Sequence, residues 1–220
     1  AQAKVGSARL PEPDEKSKTP RPTENKNYDA GAKVVVLGVS ADGVEAIRYL
    51  LSGLPSDCPG MLIVQHMPAA YTGDFAARLD RISPIHVREA KNGDQIRPGT
   101  ALIASGERHL ELARSRSFFI CKTTNGPPVF GHKPSVDVPF QSAARVAAKN
   151  TIGVILTGMG RDGAAGLLAL REAGGMTLGQ DESTSMIYGM PRVAMELGAV
   201  ERQLPLHKIH ESLLDACAKK

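Results

Sequence analysis

Tryptophan is absent from the 220 residues, and aromatic side chains make up only 4% of them. A chain so poor in flat rings offers no stacking platform for the bases of single-stranded nucleic acid. A dominant charge is missing too. The 27 Lys and Arg against 23 Asp and Glu leave +4 at pH 7, and the basic residues are scattered rather than blocked. That argues against an electrostatic nucleic-acid binder and leaves room for an acidic protein partner. Cys58, Cys121 and Cys217 are odd in number and share no metal-ligand spacing. Neither a disulfide framework nor a metal site is expected, and a reducing, cytoplasmic compartment fits. No apolar run approaches the roughly 20 residues of a membrane span, so no membrane insertion is expected. No basic-then-apolar signal segment opens the chain. It begins with Ala1 rather than Met, which reads as a piece processed or trimmed from something longer.

What is present suffices for one large α/β domain. Apolar residues make up 42% of the chain, enough for a sizeable core. Residues 1–30 stand apart, with four prolines, six Lys or Arg, five Asp or Glu and few large apolar side chains. Such a segment cannot bury enough surface to offset its ordering entropy and reads as a disordered tail or inter-domain linker. From residue 31 to 220 the pattern is that of a folded domain. Val34 to Gly38, Met61 to Val64, Ile152 to Thr157 and Met176 to Leu178 are continuous apolar runs. Helical spacing follows over Ala41–Leu51, Asp74–Leu79 and Ala164–Ala173. Apolar runs alternating with amphipathic helices predict a three-layer, doubly wound α/β fold on a mostly parallel sheet. Turn signals between residues 85 and 130, around short strands such as Ala101–Ile103 and Phe118–Cys121, predict an antiparallel hairpin addition to that sheet. Pro134–Phe140 reads either as a rigid loop before a helix at Gln141–Ala148 or as a substrate-contacting segment.

Three polar residues stand where apolar runs end: Ser40 after the first, His66 after the second and Asp162 after the last long one. In an open α/β sheet the ligand site lies outside the carboxyl ends of the strands. A hydroxyl, an imidazole and a carboxylate at that edge supply a nucleophile, its base and the group that orients the base. Each has a plainer reading, since Ser40 and Asp162 both precede helices and would serve as N-caps. His66 alone reads as an ordinary packed or surface histidine. A rival reading starts from Gly158-Met159-Gly160-Arg161-Asp162-Gly163, literally G-x-G-x-x-G between a strand and a helix, with Asp181 further on. That pattern is the dinucleotide fingerprint. Against it, Asp162 would set a negative charge in the turn meant to receive a pyrophosphate. His109 and His132 border the expected site without assigned roles, and His207 and His210 are expected to face solvent.

The motifs also match a known family. Leu37-Gly38-Val39-Ser40-Ala41-Asp42-Gly43 resembles the nucleophile turn of the chemotaxis-type protein-glutamate methylesterases, the CheB family. Val64-Gln65-His66-Met67-Pro68 is similar to its histidine motif. His132 to Asp137, Leu156 to Ala164, Gln180 to Glu182 and Tyr188 to Pro191 resemble further signatures in the family's order. The resemblance implies a Ser–His–Asp hydrolase that removes methyl esters from glutamates on chemoreceptor helices, releasing methanol, with deamidation of receptor glutamines by the same chemistry. Carried over motif by motif, it makes Ser40 the nucleophile, His66 the general base and acid, Asp162 its orienting partner and the Met159 backbone N–H an oxyanion-hole donor. It implies no cofactor and no metal. Family members usually carry an N-terminal receiver domain, and residues 1–30 resemble the linker that would join one. Ala41 and Asp42 depart from the family pattern, removing a hydroxyl and adding a charge beside the nucleophile. That departure keeps open a regulatory module of the same fold with weakened turnover.

Overall fold

A computed structural model describes residues 33–217, so the expected tail or linker at 1–30 lies outside the described residues. Seven parallel strands form the main sheet: β1 (Val34–Val39), β2 (Gly60–Gln65), β3 (His86–Glu89), β4 (Thr100–Ile103), β7 (Thr151–Ile155), β8 (Met176–Gln180) and β9 (Arg202–Leu204). Their order is β3-β4-β2-β1-β7-β8-β9. The two strands between β4 and β7, β5 (His109–Ser115) and β6 (Phe118–Thr124), pair antiparallel as a separate two-stranded sheet. The expected hairpin is thus present beside the main sheet rather than hydrogen-bonded into it, and the Ala101–Ile103 run enters the main sheet in parallel.

The apolar runs are continuous because both faces of the sheet are covered. Along β1, Val35, Leu37 and Val39 turn to one core, and Val34 and Val36 turn to the other. The first core is closed by α1 (Val44–Ser52), α2 (Ala69–Ile82) and α6 (Leu206–Cys217). Ala46, Ile47, Leu50 and Leu51 put the buried stripe of α1 on one face at helical spacing. The second core lies under α3 (Asp137–Ala147), α4 (Ala164–Glu172), α5 (Met190–Glu196) and the hairpin. Cys58 belongs to the first core and Cys121 to the second, so the sheet separates them and no bridge joins them.

Three sequence expectations shift. Helix α2 begins at Ala69, and α3 begins at Asp137 rather than Gln141, with Pro139 in its first turn, where a missing N–H costs no helical bond. Pro134–Phe140 is therefore only partly loop. His207 is exposed as expected, but His210 is half-buried, its ring packed near Gly53.

Candidate active site

Winding reverses at β1, which is flanked by β2 on one side and β7 on the other. The crevice outside the carboxyl ends of these strands is the switch-point position where such sheets hold ligands. Val39 of β1 is paired with Gln65 of β2, so the next residues, Ser40 and His66, leave neighbouring strand ends side by side. The His66 N–H donates to the Val39 carbonyl at 3.2 Å, and the Ser40 N–H donates to the Thr157 carbonyl beyond β7 at 3.3 Å. Gln65, wholly buried, ties the two turns together: its Nε2 donates to the Ser40 carbonyl at 2.5 Å and more weakly to the His66 carbonyl at 3.5 Å.

The capping reading of Ser40 does not hold. Ser40 precedes a single 3-10 turn, Ala41–Gly43, without any side-chain capping bond. Among the described residues its hydroxyl has no hydrogen-bond partner, although the residue is only 9% exposed. A Cβ on Gly158 would stand 2.6 Å from the Ser40 Cβ, so glycine is what lets the 158–160 loop pass this close.

Asp162 does not cap the helix it precedes either, because α4 begins from Gly163 without a side-chain cap. Its carboxylate instead receives four donors from elsewhere. His66 Nε2 lies at 2.8 Å and the Val136 N–H at 2.7 Å from Oδ2, while Ser135 Oγ at 2.7 Å and the Asp137 N–H at 3.2 Å donate to Oδ1. Two of these donors are backbone groups at the start of α3, where a negative charge also meets the positive end of the helix dipole. Burial alone would raise the Asp162 pKa, but the bonds from His66, Val136 and Ser135 outweigh it and hold the carboxyl below its ordinary range. An anionic acceptor at Nε2 fixes the imidazole proton there, which leaves Nδ1 as the basic nitrogen. His66 Nδ1 is buried and without a partner. The His66–Asp162 half of the expected triad is thus closed, while Ser40 Oγ and His66 make no hydrogen bond; catalytic bonds often tighten only when substrate is bound.

The exchange of caps is reciprocal. Asp137, at the start of α3 and wholly buried, places Oδ1 2.5 Å from the Gly166 N–H in the first turn of α4. Burial pushes its pKa up. This arrangement weighs against the dinucleotide reading: the α4 N-terminus, where a pyrophosphate would sit, already faces the Asp137 carboxyl. Asp181 is also occupied locally, accepting from Ser183 Oγ and from Thr184.

Met159 is exposed, and among the described residues its N–H has no acceptor. The preceding Gly158 carbonyl accepts from Gly189 and Met190. A trans peptide points its N–H opposite to its carbonyl, so the Met159 N–H faces away from α5.

Ser135 and His132 are functional neighbours to which the sequence assigned no role. Ser135 is wholly buried and its hydroxyl is committed to Asp162, so it supports the carboxylate and cannot itself meet a substrate. The His132 ring stacks on His66, with centroids 4.1 Å apart and planes 2° from parallel. Burial, then the neighbouring His66, push the His132 pKa down. His109 is structural: it accepts from the Ser135 N–H at 3.2 Å and bonds the Pro127 carbonyl at 2.9 Å. Ligand atoms of His66, His132 and Asp162 fall within 4.8 Å of one another. Stacked rings, however, direct their in-plane lone pairs along parallel planes that do not converge on one ion. Nε2 of His66 is also already turned to Asp162. The group fits a hydrogen-bonded acid–base pair better than a metal centre.

Comparison with known proteins agrees with this geometry. Residues 35–213 match the profile of the CheB methylesterase family. A protein-glutamate methylesterase/protein-glutamine glutaminase of Pseudomonas aeruginosa is 50% identical over 188 residues, 86% of this chain and 54% of that protein. One from Agrobacterium fabrum is 52% identical over 201 residues, 91% of this chain and 57% of that protein. The chain thus spans about half the length of the curated relatives it matches. The crystal structure of the Thermotoga maritima CheB methylesterase catalytic domain is similar at a TM-score of 0.81 and 34% identity, covering 84% of this chain and 98% of that one.

Proposed function

Because the chain belongs to the CheB methylesterase family, we propose that it is a serine hydrolase that removes methyl esters from glutamate side chains of methyl-accepting chemoreceptors, in the adaptation step of chemotaxis. Receptor glutamines are its second substrate. In this reading residues 31–220 are the catalytic domain, residues 1–30 are the tail or linker, and the partners are the cytoplasmic helices of the receptors. The reaction then takes place in the cytoplasm.

The observation that carries the reading is the state of His66: Nε2 is bonded to a buried carboxylate, and Nδ1 is buried and unpartnered. Ser40 Oγ attacks the ester carbonyl carbon while its proton passes to His66 Nδ1. The imidazolium is stabilised by Asp162 through the Nε2–H bond, and the Met159 N–H donates to the oxygen that becomes negative. When the tetrahedral intermediate collapses, the C–O bond to the methoxy group breaks. The leaving oxygen takes the proton from Nδ1 and departs as methanol. Water then attacks the glutamyl-serine ester, returns a proton through Nδ1, and frees the glutamate side chain and Ser40. With glutamine the same steps release ammonia. The chemistry draws on three side chains, one backbone N–H and water.

The test is methanol release from methylated receptor membranes by the wild-type chain and by Ser40→Ala. Release by the wild type and none by the variant supports the reading. Equal release by both, or none by a folded wild type, removes it.

A further inference from the structure

Beside His66 a cleft of about 330 Å³ opens, bounded among others by Met67, Gly131, His132 and Lys133. No Asp or Glu lines it. One cation, Lys133, lines it, and a second, Arg161, stands over Phe130, the residue next to the lining Gly131. Arg48, Arg88, Arg192 and Lys208 each stand against a carboxylate. Lys133 makes only a bond from its Nζ to Asn125 Oδ1, at 2.5 Å. Arg161, adjacent to Asp162, has no ion-pair or hydrogen-bond acceptor for its guanidinium among the described residues. Its Cζ instead lies 4.5 Å from the centroid of the Phe130 ring.

Phe130 is built as a platform for that stack. It is 55% exposed, and its φ of +47° is uncommon for a bulky residue. It stands two residues before His132 on the loop that stacks against His66, whereas Arg161 belongs to the loop of Met159 and Asp162. The stack therefore bridges the two loops that frame the site. An arginine held over an aromatic face by a cation–π contact keeps its N–H donors free for a carboxylate.

We propose that Lys133 and Arg161 form a carboxylate-reading subsite, so that the enzyme prefers a glutamate ester or glutamine lying beside free carboxylates on the substrate protein. The proposal rests on the esterase reading above and adds to it the feature that selects among the substrate's modified positions. The ester and the amide are themselves neutral, so a cationic pair beside the base has nothing to hold in the reacting group. It matches charge in its surroundings. Exposed ion pairs of this kind contribute up to about 1 kcal/mol, or about fivefold in kcat/KM.

The experiment uses a soluble receptor cytoplasmic fragment carrying one glutamate methyl ester, in two forms whose neighbouring residues are Glu or Ser. Wild type, Arg161→Gln, Lys133→Gln and the double variant are compared at low and high salt, with melting temperatures confirming the fold. Wild type is expected to prefer the acidic form by about fivefold at low salt. High salt should erase the preference, and the double variant should bring the ratio to about one. A charge reversal, Arg161→Glu, should invert it. Hydrolysis of both forms by wild type at equal rates, or a ratio unchanged in the double variant, overturns the subsite alone. Failure of folded wild type to hydrolyse either form overturns the esterase reading and the subsite with it.

Discussion

Replacing Asp162 by Asn tests the link between the fold and the chemistry, because the carboxylate serves both. Its oxygens receive four donors, Oδ2 from His66 and Val136 and Oδ1 from Ser135 and Asp137. An amide has one acceptor oxygen and one donor nitrogen. If the nitrogen takes the Oδ2 place, it confronts the Val136 N–H and forces His66 to accept, which reverses the tautomer. If it takes the Oδ1 place, the Ser135 hydroxyl turns to accept and its own proton loses its acceptor, while the Asp137 N–H keeps Ser135 Oγ at 3.2 Å. The second orientation costs less, so Asn is expected to settle there and leave one buried hydroxyl donor, that of Ser135, unsatisfied. That penalty is about 1–3 kcal/mol, and a domain of this size shifts by about 2–4 °C per kcal/mol. The melting temperature should therefore fall by roughly 2–12 °C, more than the few tenths of a kcal/mol that a simple Asp-to-Asn cap exchange would cost. Activity should fall much further, because a neutral amide does not stabilise the imidazolium; the equivalent change in a comparable triad lowers kcat by about 10⁴. Acid gives an independent check. The Asp162 pKa is depressed in the folded protein, so its contribution to stability is fully present above the unfolded value near about 3.9. It is lost as pH falls through the lower folded value. Wild type and variant should approach each other in stability over that acid range. The assays are methanol release and thermal melts across pH. A variant with more than about a tenth of wild-type turnover would refute the role in catalysis, and an unchanged melting temperature would refute the four-donor account.

Further expectations follow from the neighbouring residues. Ser40→Ala should abolish turnover and move the melting temperature by less than about 2 °C, since the hydroxyl makes no capping bond to lose; a large thermal shift would reinstate the structural role. Ser135→Ala removes one donor from Asp162, so stability should fall by about 1 kcal/mol and the acid limb of the stability curve should move to higher pH. Gln65→Leu removes the side-chain bond to the Ser40 carbonyl and should lower kcat more than it changes KM, which steady-state kinetics will read directly. Burial raises the Asp137 pKa, so wild type loses stability as pH rises from about 4 through that raised value. Asp137→Asn lacks this loss, and the difference in melting temperature should move in its favour as pH rises from about 4.

The sheet was legible because strands buried on both faces are written as unbroken apolar runs, as in Val34–Val39 and Gly60–Gln65. Strand β3 was not, since an edge strand buries little: His86 and Arg88 are exposed, and only Val87 is buried. The start of α3 was hidden by Pro139, which breaks a helix interior yet fits its first turn. Within the site, Ser40, His66 and Asp162 could be placed because each follows a strand whose end the sequence marks. The supports could not. Ser135 meets Asp162 across 27 residues of chain, and the stacking of His132 on His66 depends on the path of the intervening loop. No periodicity records such meetings, although the His132–Asp137 motif marked the right segment.

The central claim is that Ser40 and His66, with Asp162 behind them, form one hydrolytic unit. The most direct measurement is covalent labelling with a serine-reactive phosphonate, followed by mass spectrometry of the modified peptide in wild type and in folded His66→Ala. One phosphonyl group per chain on Ser40 in wild type, and a rate at least about 100-fold slower in the variant, is the predicted result. Labelling at another serine, or at Ser40 with equal speed in both proteins, would contradict it.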